Sequence, residues 1–236
     1  LRFASKDARD LRSVLVSPRY GNFPEDNVIL LTDEQATRAN ILKALNEISL
    51  KAQEEDLVLL FFSSHGSPRK DGAGLQGIGY IVTHDSTQAE IFVNALEFSD
   101  LSHKVSAIRS RRKVTLLDTC YSGQSTTTGG KTLVLEGFGV DTRAASMFLS
   151  GEGSYVITSS RDDEVSFESD DLQNGYFTYY LIEALKDGSE PPTLKQVFGH
   201  LSTRVRQAVA RDKHAPQNPR LLPEDAFDRG PVTGGE

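Results

Sequence analysis

Two short stretches of this 236-residue chain carry the residue types that nucleophilic catalysis needs. Ser63-Ser64-His65-Gly66 ends one apolar run, and Asp118-Thr119-Cys120-Tyr121-Ser122-Gly123 ends another. Cys120 is the only cysteine in the chain. A thiol becomes a strong nucleophile near neutral pH when a neighbouring base takes its proton. An imidazole, with a pKa of about 6.5, can do this and later return the proton to a leaving amine. His65 and Cys120, 55 residues apart, suit those roles. A glycine beside the histidine lets a backbone N–H approach a reacting carbonyl, so the amides of Gly66 and Cys120 form a candidate oxyanion hole without a metal. A lone cysteine after a strand is more often a small buried hydrophobe, and a lone histidine more often structural. The argument rests on their conjunction at two successive strand ends.

The two ends meet only if their strands are neighbours, and the elements around them are those of an α/β protein. Helical spacing of Leu11, Val14 and Leu15 predicts a helix over 5–16, ended by Ser17-Pro18. Val28–Leu31 reads as a short strand, followed by a helix over 37–52 carrying Ile41, Leu42, Leu45 and Ile48. The run 57–62 is apolar without alternation, as in a strand covered on both faces. A small strand over 79–83, a helix near 95–109 and a strand over 114–117 come next. Residues 121–153 lack periodicity and are rich in Ser, Thr and Gly, which predicts a mobile or cleavable loop. A strand over 155–158 and helices over 175–187 and 193–211 complete the pattern. Such alternation predicts an α/β sandwich with a mostly parallel central sheet flanked by helices on both faces, its ligands bound outside the carboxyl ends of the strands.

The expected organisation is one domain over 1–236. Residues 1–120 hold the histidine and cysteine, 121–153 the loop and 154–227 a second part, and 228–236 form a flexible tail. Both ends look cut, which leaves room for a regulatory domain or partner beyond either terminus. At 25.9 kDa and 38% hydrophobic residues the chain can bury a sizeable core. A mean hydropathy of −0.36 and the lack of an apolar run near 18 residues argue against a membrane span. A net charge of −7 disfavours nucleic acid as a partner, despite the basic cluster Arg109, Arg111, Arg112 and Lys113. A single cysteine excludes an internal disulfide or multi-thiolate metal site and fits a reducing, cytoplasmic setting. Thr128-Gly129-Gly130-Lys131 lacks the flanking residues of a phosphate loop. Asp71, Asp85, Asp162 and Asp163 lack EF-hand spacing, so no Ca²⁺ site is recognisable and no cofactor is expected, while activation by Ca²⁺ stays open. Tyr176, Phe177, Tyr179 and Tyr180 suggest an aromatic box, but helical spacing assigns Phe177, Tyr180, Leu181 and Ala184 to the core.

The stretches KDARDL, FPEDNVILLTDEQATRANIL, DLVLLFFSSHG, TLLDTCYSG, SSRDDEVSFE, GYFTYYLIEAL and APQNP together resemble the caspase-like cysteine peptidases. In that family the histidine lies about 50 residues upstream of the cysteine. The animal-caspase pentapeptide Gln-Ala-Cys-Arg/Gln-Gly is absent, which places the resemblance with metacaspases and prokaryotic members. The family's first strand has no counterpart before residue 1.

The resemblance implies cleavage of proteins or peptides by a Cys120–His65 dyad in a molecule that works as a monomer. It also implies a pocket for the residue before the cut, formed by Asp7, Ser63 and Asp118. Such a pocket carries two carboxylates and no cation, which suits Arg or Lys. Read alone, Asp7 is also a helix-start carboxylate and Asp118 a turn residue. Arg2 keeps an aspartate-specific pocket in play. Ser159, Ser160, Asp162 and Asp163 correspond to the substrate-side wall, and their plain alternative is a solvated acidic loop. Lys131 and Arg143 are candidate self-cleavage sites. A silent scaffold or docking module of the same fold and another thiol enzyme such as an acyltransferase are the alternatives of different class.

Overall fold

The computed structural model describes residues 1–68, 78–87, 90–120, 126–128, 131–133, 139–140, 142–149, 153–188 and 190–224. Helix α1 (Ala4–Leu15) is followed by two 3-10 turns (Glu25–Asn27 and Asp33–Gln35) and α2 (Arg38–Lys51). Then come β1 (Leu57–Pro68), β2 (Ile78–Ile81), α3 (Ile91–Asn94), β3 (Leu96–Glu97), α4 (Phe98–Ser106) and β4 (Arg112–Cys120). A small hairpin, β5 (Thr126–Thr128) with β6 (Lys131–Leu133), and α5 (Thr142–Ser146) precede β7 (Ser154–Thr158). The second part continues with β8 (Glu168–Ser169), β9 (Asn174–Gly175), α6 (Tyr176–Lys186), α7 (Leu194–Lys213) and β10 (Arg220–Leu222).

The main sheet has the order β10-β7-β4-β1-β2-β3. Its centre, β7-β4-β1, is parallel, and the outer strands are antiparallel, so the expected α/β architecture is present. Pleating separates two cores. Val114 and Leu116 of β4 join Tyr155 and Ile157 of β7 under α1, α6 and α7. Leu117 of β4, Val156 of β7 and Val58 and Leu60 of β1 join Leu45 of α2 and Leu101 and Val105 of α4 on the opposite face. Successive side chains on a strand alternate in this way because the period is two. The Phe177–Tyr180–Leu181–Ala184 stripe lies in the first core, as its helical spacing predicts. Thr193 caps α7 in a reciprocal arrangement with Gln196, which satisfies donors that a helix start leaves free. Gly153, at φ 80°, opens β7 where an added Cβ would fall 1.6 Å from the Arg111 carbonyl oxygen, so only glycine fits.

Two sequence expectations change. Val28–Leu31 forms no strand. Val28 is extended, but no described strand pairs with the stretch, which instead borders a cavity of about 970 Å³ between α1, α2 and β1. Along that side β1 pairs with described strand residues only through Gly66–Pro68 with β2. An apolar run becomes a strand when a neighbour completes its hydrogen bonds, and this one has none. The stretch 121–153 is not uniformly irregular: β5, β6 and α5 lie within it, with Lys131 opening β6 and Arg143 within α5. The remainder of that stretch is largely outside the described residues, as is Asp71. Among the described residues no helix is long and apolar enough to cross a membrane.

Phe177 is fully buried, whereas Leu50 is 77% exposed. Phe177→Ala should lower unfolding stability by about 3–5 kcal/mol, and Leu50→Ala by no more than about 0.5 kcal/mol. Urea midpoints of the two variants check this, and equal shifts would contradict the assignment of α6 to the core.

Candidate active site

The site is built on the parallel pairing of β1 with β4. Ser63 pairs with Asp118, Ser64 with Thr119, and His65 with Cys120. The two strand ends that carry the chemistry therefore lie side by side on neighbouring rungs. Leu57, Leu59 and Phe61 face the α1–α6–α7 core, and the alternation carries Ser63 and His65 to the same face. On β4, Val114 and Leu116 set the parity that carries Asp118 to that face, where α1 supplies Asp7 and α6 supplies Thr178.

His65 lies below its ordinary pKa. Burial is the main cause, and Glu168 opposes it. A neutral imidazole is the form that can accept a proton from a thiol. Val82 N–H donates to the His65 carbonyl beside the Gly66–Ile81 pair, which marks that pair as the non-hydrogen-bonded type. The Gly66 N–H thus points away from β2 and toward β4, the side of Cys120.

Asp7 and Asp118 are the most unusual groups of the site, only 2% and 6% exposed. Ser63 Oγ donates to Asp7 Oδ2 at 3.2 Å, and Asn174 Nδ2 and Gly175 N–H donate to Asp7 Oδ1 at 2.8 and 3.1 Å. Ser166 Oγ and Thr178 Oγ1 donate to the two oxygens of Asp118, each at 2.8 Å. Gly175 sits between the carboxylates: a Cβ there would lie 3.0 Å from Asp118 Oδ2 and 3.3 Å from Asp7 Oδ2. Among the described residues, every donor found on either carboxylate is neutral. Burial, with Asp118 close by, pushes Asp7 from 3.8 up to about 7. Burial likewise raises Asp118, against the hydrogen bonds from Thr178 and Ser166. Two desolvated carboxyl groups that share a site resist carrying two charges.

The other expected residues are dispersed. Ser159 and Ser160 are each 1% exposed: Ser160 Oγ donates to the Glu164 carbonyl, and Ser159 Oγ is buried beside Asp118 without a well-formed hydrogen bond of its own. Asp162 and Asp163 are exposed and border a separate cavity of about 490 Å³ with Arg161, Phe198 and Arg220. Arg2 is exposed and paired with Asp170. Sequence reasoning missed Ser166, Thr178, Asn174 and Gly175, which hold the carboxylates. It also missed Gln217, which is fully buried and links the Ser159 carbonyl to Ser166 Oγ. The Asn-Gly pair was a turn signal before a helix, but nothing local connects it to Asp7. Among the described residues no three His, Cys, Asp or Glu side chains converge as metal ligands.

A carboxyl whose folded pKa is raised loses stability as pH climbs from the ordinary carboxylate range through the folded value. For Asp7 that window runs from about 4 to about 7. The wild type should therefore melt at a lower temperature at pH 8 than at pH 5, and Asp7→Asn should remove much of that fall, an effect on the order of a few kcal/mol. Thermal unfolding at both pH values tests it. An Asp7→Asn penalty that is equal at pH 5 and pH 8 would contradict a strained, ionisable Asp7.

The caspase-domain family model matches residues 1–227. Metacaspase-1 of Eremothecium gossypii is 31% identical over 136 residues, which cover 53% of this chain and 29% of that protein. Metacaspase-3 of Arabidopsis thaliana is 24% identical over 258 residues, covering 97% of this chain and 69% of that protein. The chain thus spans under a third of the Eremothecium protein. Among solved structures, protein GSU0716 from Geobacter sulfurreducens aligns with a TM-score of 0.60 at 17% identity, covering 100% of this chain and 91% of that chain. That likeness concerns the fold alone. With the caspase-domain model matching residues 1–227 of its 236, the chain belongs to the caspase-domain family of cysteine-type peptidases.

Proposed function

We propose that the protein is an endopeptidase that cleaves after Arg or Lys. The observation that carries the basic preference is the pair of buried carboxylates, Asp7 and Asp118, meeting at Gly175 with neutral donors alone. A guanidinium or ammonium brought between them supplies the charge that the site lacks. An acidic side chain there would add a third negative group to a desolvated pair. Arg2, the cation that an aspartate-specific pocket would draw on, is engaged with Asp170.

In this reading His65 takes the thiol proton of Cys120, and the thiolate attacks the scissile carbonyl. The Gly66 and Cys120 amides hold the oxyanion. The imidazolium then protonates the leaving amine, and water hydrolyses the thioester with His65 again acting as base. Ser159 lies beside Asp118, whereas Ser160, Asp162 and Asp163 stand apart from the carboxylate pair. Self-cleavage at Lys131 or Arg143 would require local opening of β6 or α5, since peptidases cut exposed, extended backbone most readily.

Hydrolysis of matched fluorogenic peptides ending in Arg, Lys or Asp tests the whole reading. Arg and Lys peptides should be cut, and Cys120→Ala and His65→Ala should each fall to background. Asp118→Asn should lose on the order of 100-fold in kcat/KM on Arg peptides. Because a protonated Asp7 cannot pair with a cation, kcat/KM on Arg peptides should also decline as pH drops through about 7. Preference for Asp peptides would overturn the pocket, and full activity of Cys120→Ala would overturn the nucleophile.

A further inference from the structure

The hairpin of β8 with β9 delivers Asn174 and Gly175 to the carboxylate pair from the far side of the chain. Asn174 is 4% exposed, and its side-chain amide is fully engaged. Nδ2 donates to Asp7 Oδ1 at 2.8 Å and to Asp10 Oδ2 at 3.0 Å, and Oδ1 accepts from Lys6 Nζ at 3.2 Å. The amide has two N–H donors, and both are spent on carboxylates. Turned over, it would set its oxygen against two anions and its NH₂ against an ammonium. Its orientation is therefore fixed by charge.

This lock acts on one oxygen of Asp7. Asn174 Nδ2 holds Oδ1, and Gly175 N–H leans to Oδ1 at 3.1 Å while reaching Oδ2 at 3.4 Å, so Oδ2 lies on the side of Ser63 and, across Gly175, of Asp118. The charged groups on the elements packed around Asp7 are Lys6, Arg9, Asp10 and Arg12 on α1, His65 on β1, Arg112, Lys113 and Asp118 on β4, Glu168 on β8 and Glu183 and Lys186 on α6; Arg9 pairs with Asp33 and Arg12 with Glu25, and Asp118 is the charge that bears on Asp7. Lys6 is paired with Asp10, so its charge is already matched. The Asn174 amide is thus the donor that does most among the side chains to make an ionised Asp7 tolerable.

We propose that Asn174 is a positioning residue for substrate selection: locked by Lys6 and Asp10, it holds Asp7 with Oδ2 turned toward Asp118, so that both carboxylates meet one cationic side chain. The proposal rests on the basic-residue reading of the pocket. It adds a specificity element from the second half of the chain to a pocket whose acids come from the first. Asn174 acts only through Asp7, and the reacting bond lies elsewhere.

Two readouts on the full chain test it. The first is the titration midpoint of the Asp7 carboxyl, followed by carbon NMR in the wild type, Asn174→Ala and Asn174→Asp. The second is kcat and KM for an Arg peptide across pH. Asn174→Ala should raise the Asp7 midpoint by about one unit and KM near neutral pH by about tenfold, with kcat nearly unchanged. Asn174→Asp keeps the shape but offers an acceptor to two carboxylates, so its shifts should be larger than those of Asn174→Ala. A purely structural role predicts the reverse order, since the isosteric change would be the milder one. An unmoved Asp7 midpoint in both variants overturns the proposal whatever the peptides show. A raised midpoint with an unchanged KM for Arg overturns instead the pocket reading on which it depends.

Discussion

The register between β1 and β4 is the constraint from which the site follows. Nine consecutive rungs, Leu57 with Arg112 through His65 with Cys120, fix which residues of two distant segments become neighbours. A slip of β1 by one residue would send Ser63 and His65 to the α2–α4 face, away from Asp7, while Asp118 stayed behind. The register is itself secured by apolar residues on both faces. Leu57, Leu59 and Phe61 belong under α1, α6 and α7, and Val58, Leu60 and Phe62 belong under α2 and α4. The apolar alternation that builds two cores thus also aims the polar tips.

Among those polar tips and their neighbours are two carboxyl groups for which burial favours the neutral form. Asp7 and Asp118 lie in a nearly water-free setting and are held by hydroxyl, amide and backbone donors. Such donors stabilise an ionised carboxylate in part, and here burial outweighs them. A direct salt bridge to either carboxylate would have removed that strain. Lys6, the cation next to Asp7 in sequence, is occupied by Asp10 and by the oxygen of Asn174. The arrangement costs the fold some stability at neutral pH, where burial works against an ionised Asp7.

Much of this was legible in the sequence, for reasons that also explain what was not. The helices α1, α2, α6 and α7 announce themselves by apolar spacing, and β1, β4 and β7 by short uninterrupted apolar runs bounded by polar turns. His65 and Cys120 are visible because each ends such a run. Val28–Leu31 has the composition of a strand, yet pairing is a property of a neighbour and not of the run itself. The two-residue strands β3, β8 and β9 are too short to show any period. Asn174 was invisible because its meaning lies in a hydrogen bond to a residue 167 positions away. Ser166 and Thr178 act on Asp118 from 48 and 60 positions away, with no motif to tie them to it.

The division of the pocket between two parts of the chain has a mechanical side. Asp7, Ser63, His65, Asp118 and Cys120 precede the 121–153 stretch, and Ser166, Asn174, Gly175 and Thr178 follow it. The two parts are joined by five rungs between β4 and β7 and by the packing of α1 on α6. If the backbone were severed between them, the covalent link would vanish while these contacts remained. The pieces would then form a non-covalent heterodimer, and the high effective concentration that one chain gives its own halves would give way to an ordinary binding constant. From that moment dilution, and not only substrate or pH, would govern how much of the molecule holds a complete pocket.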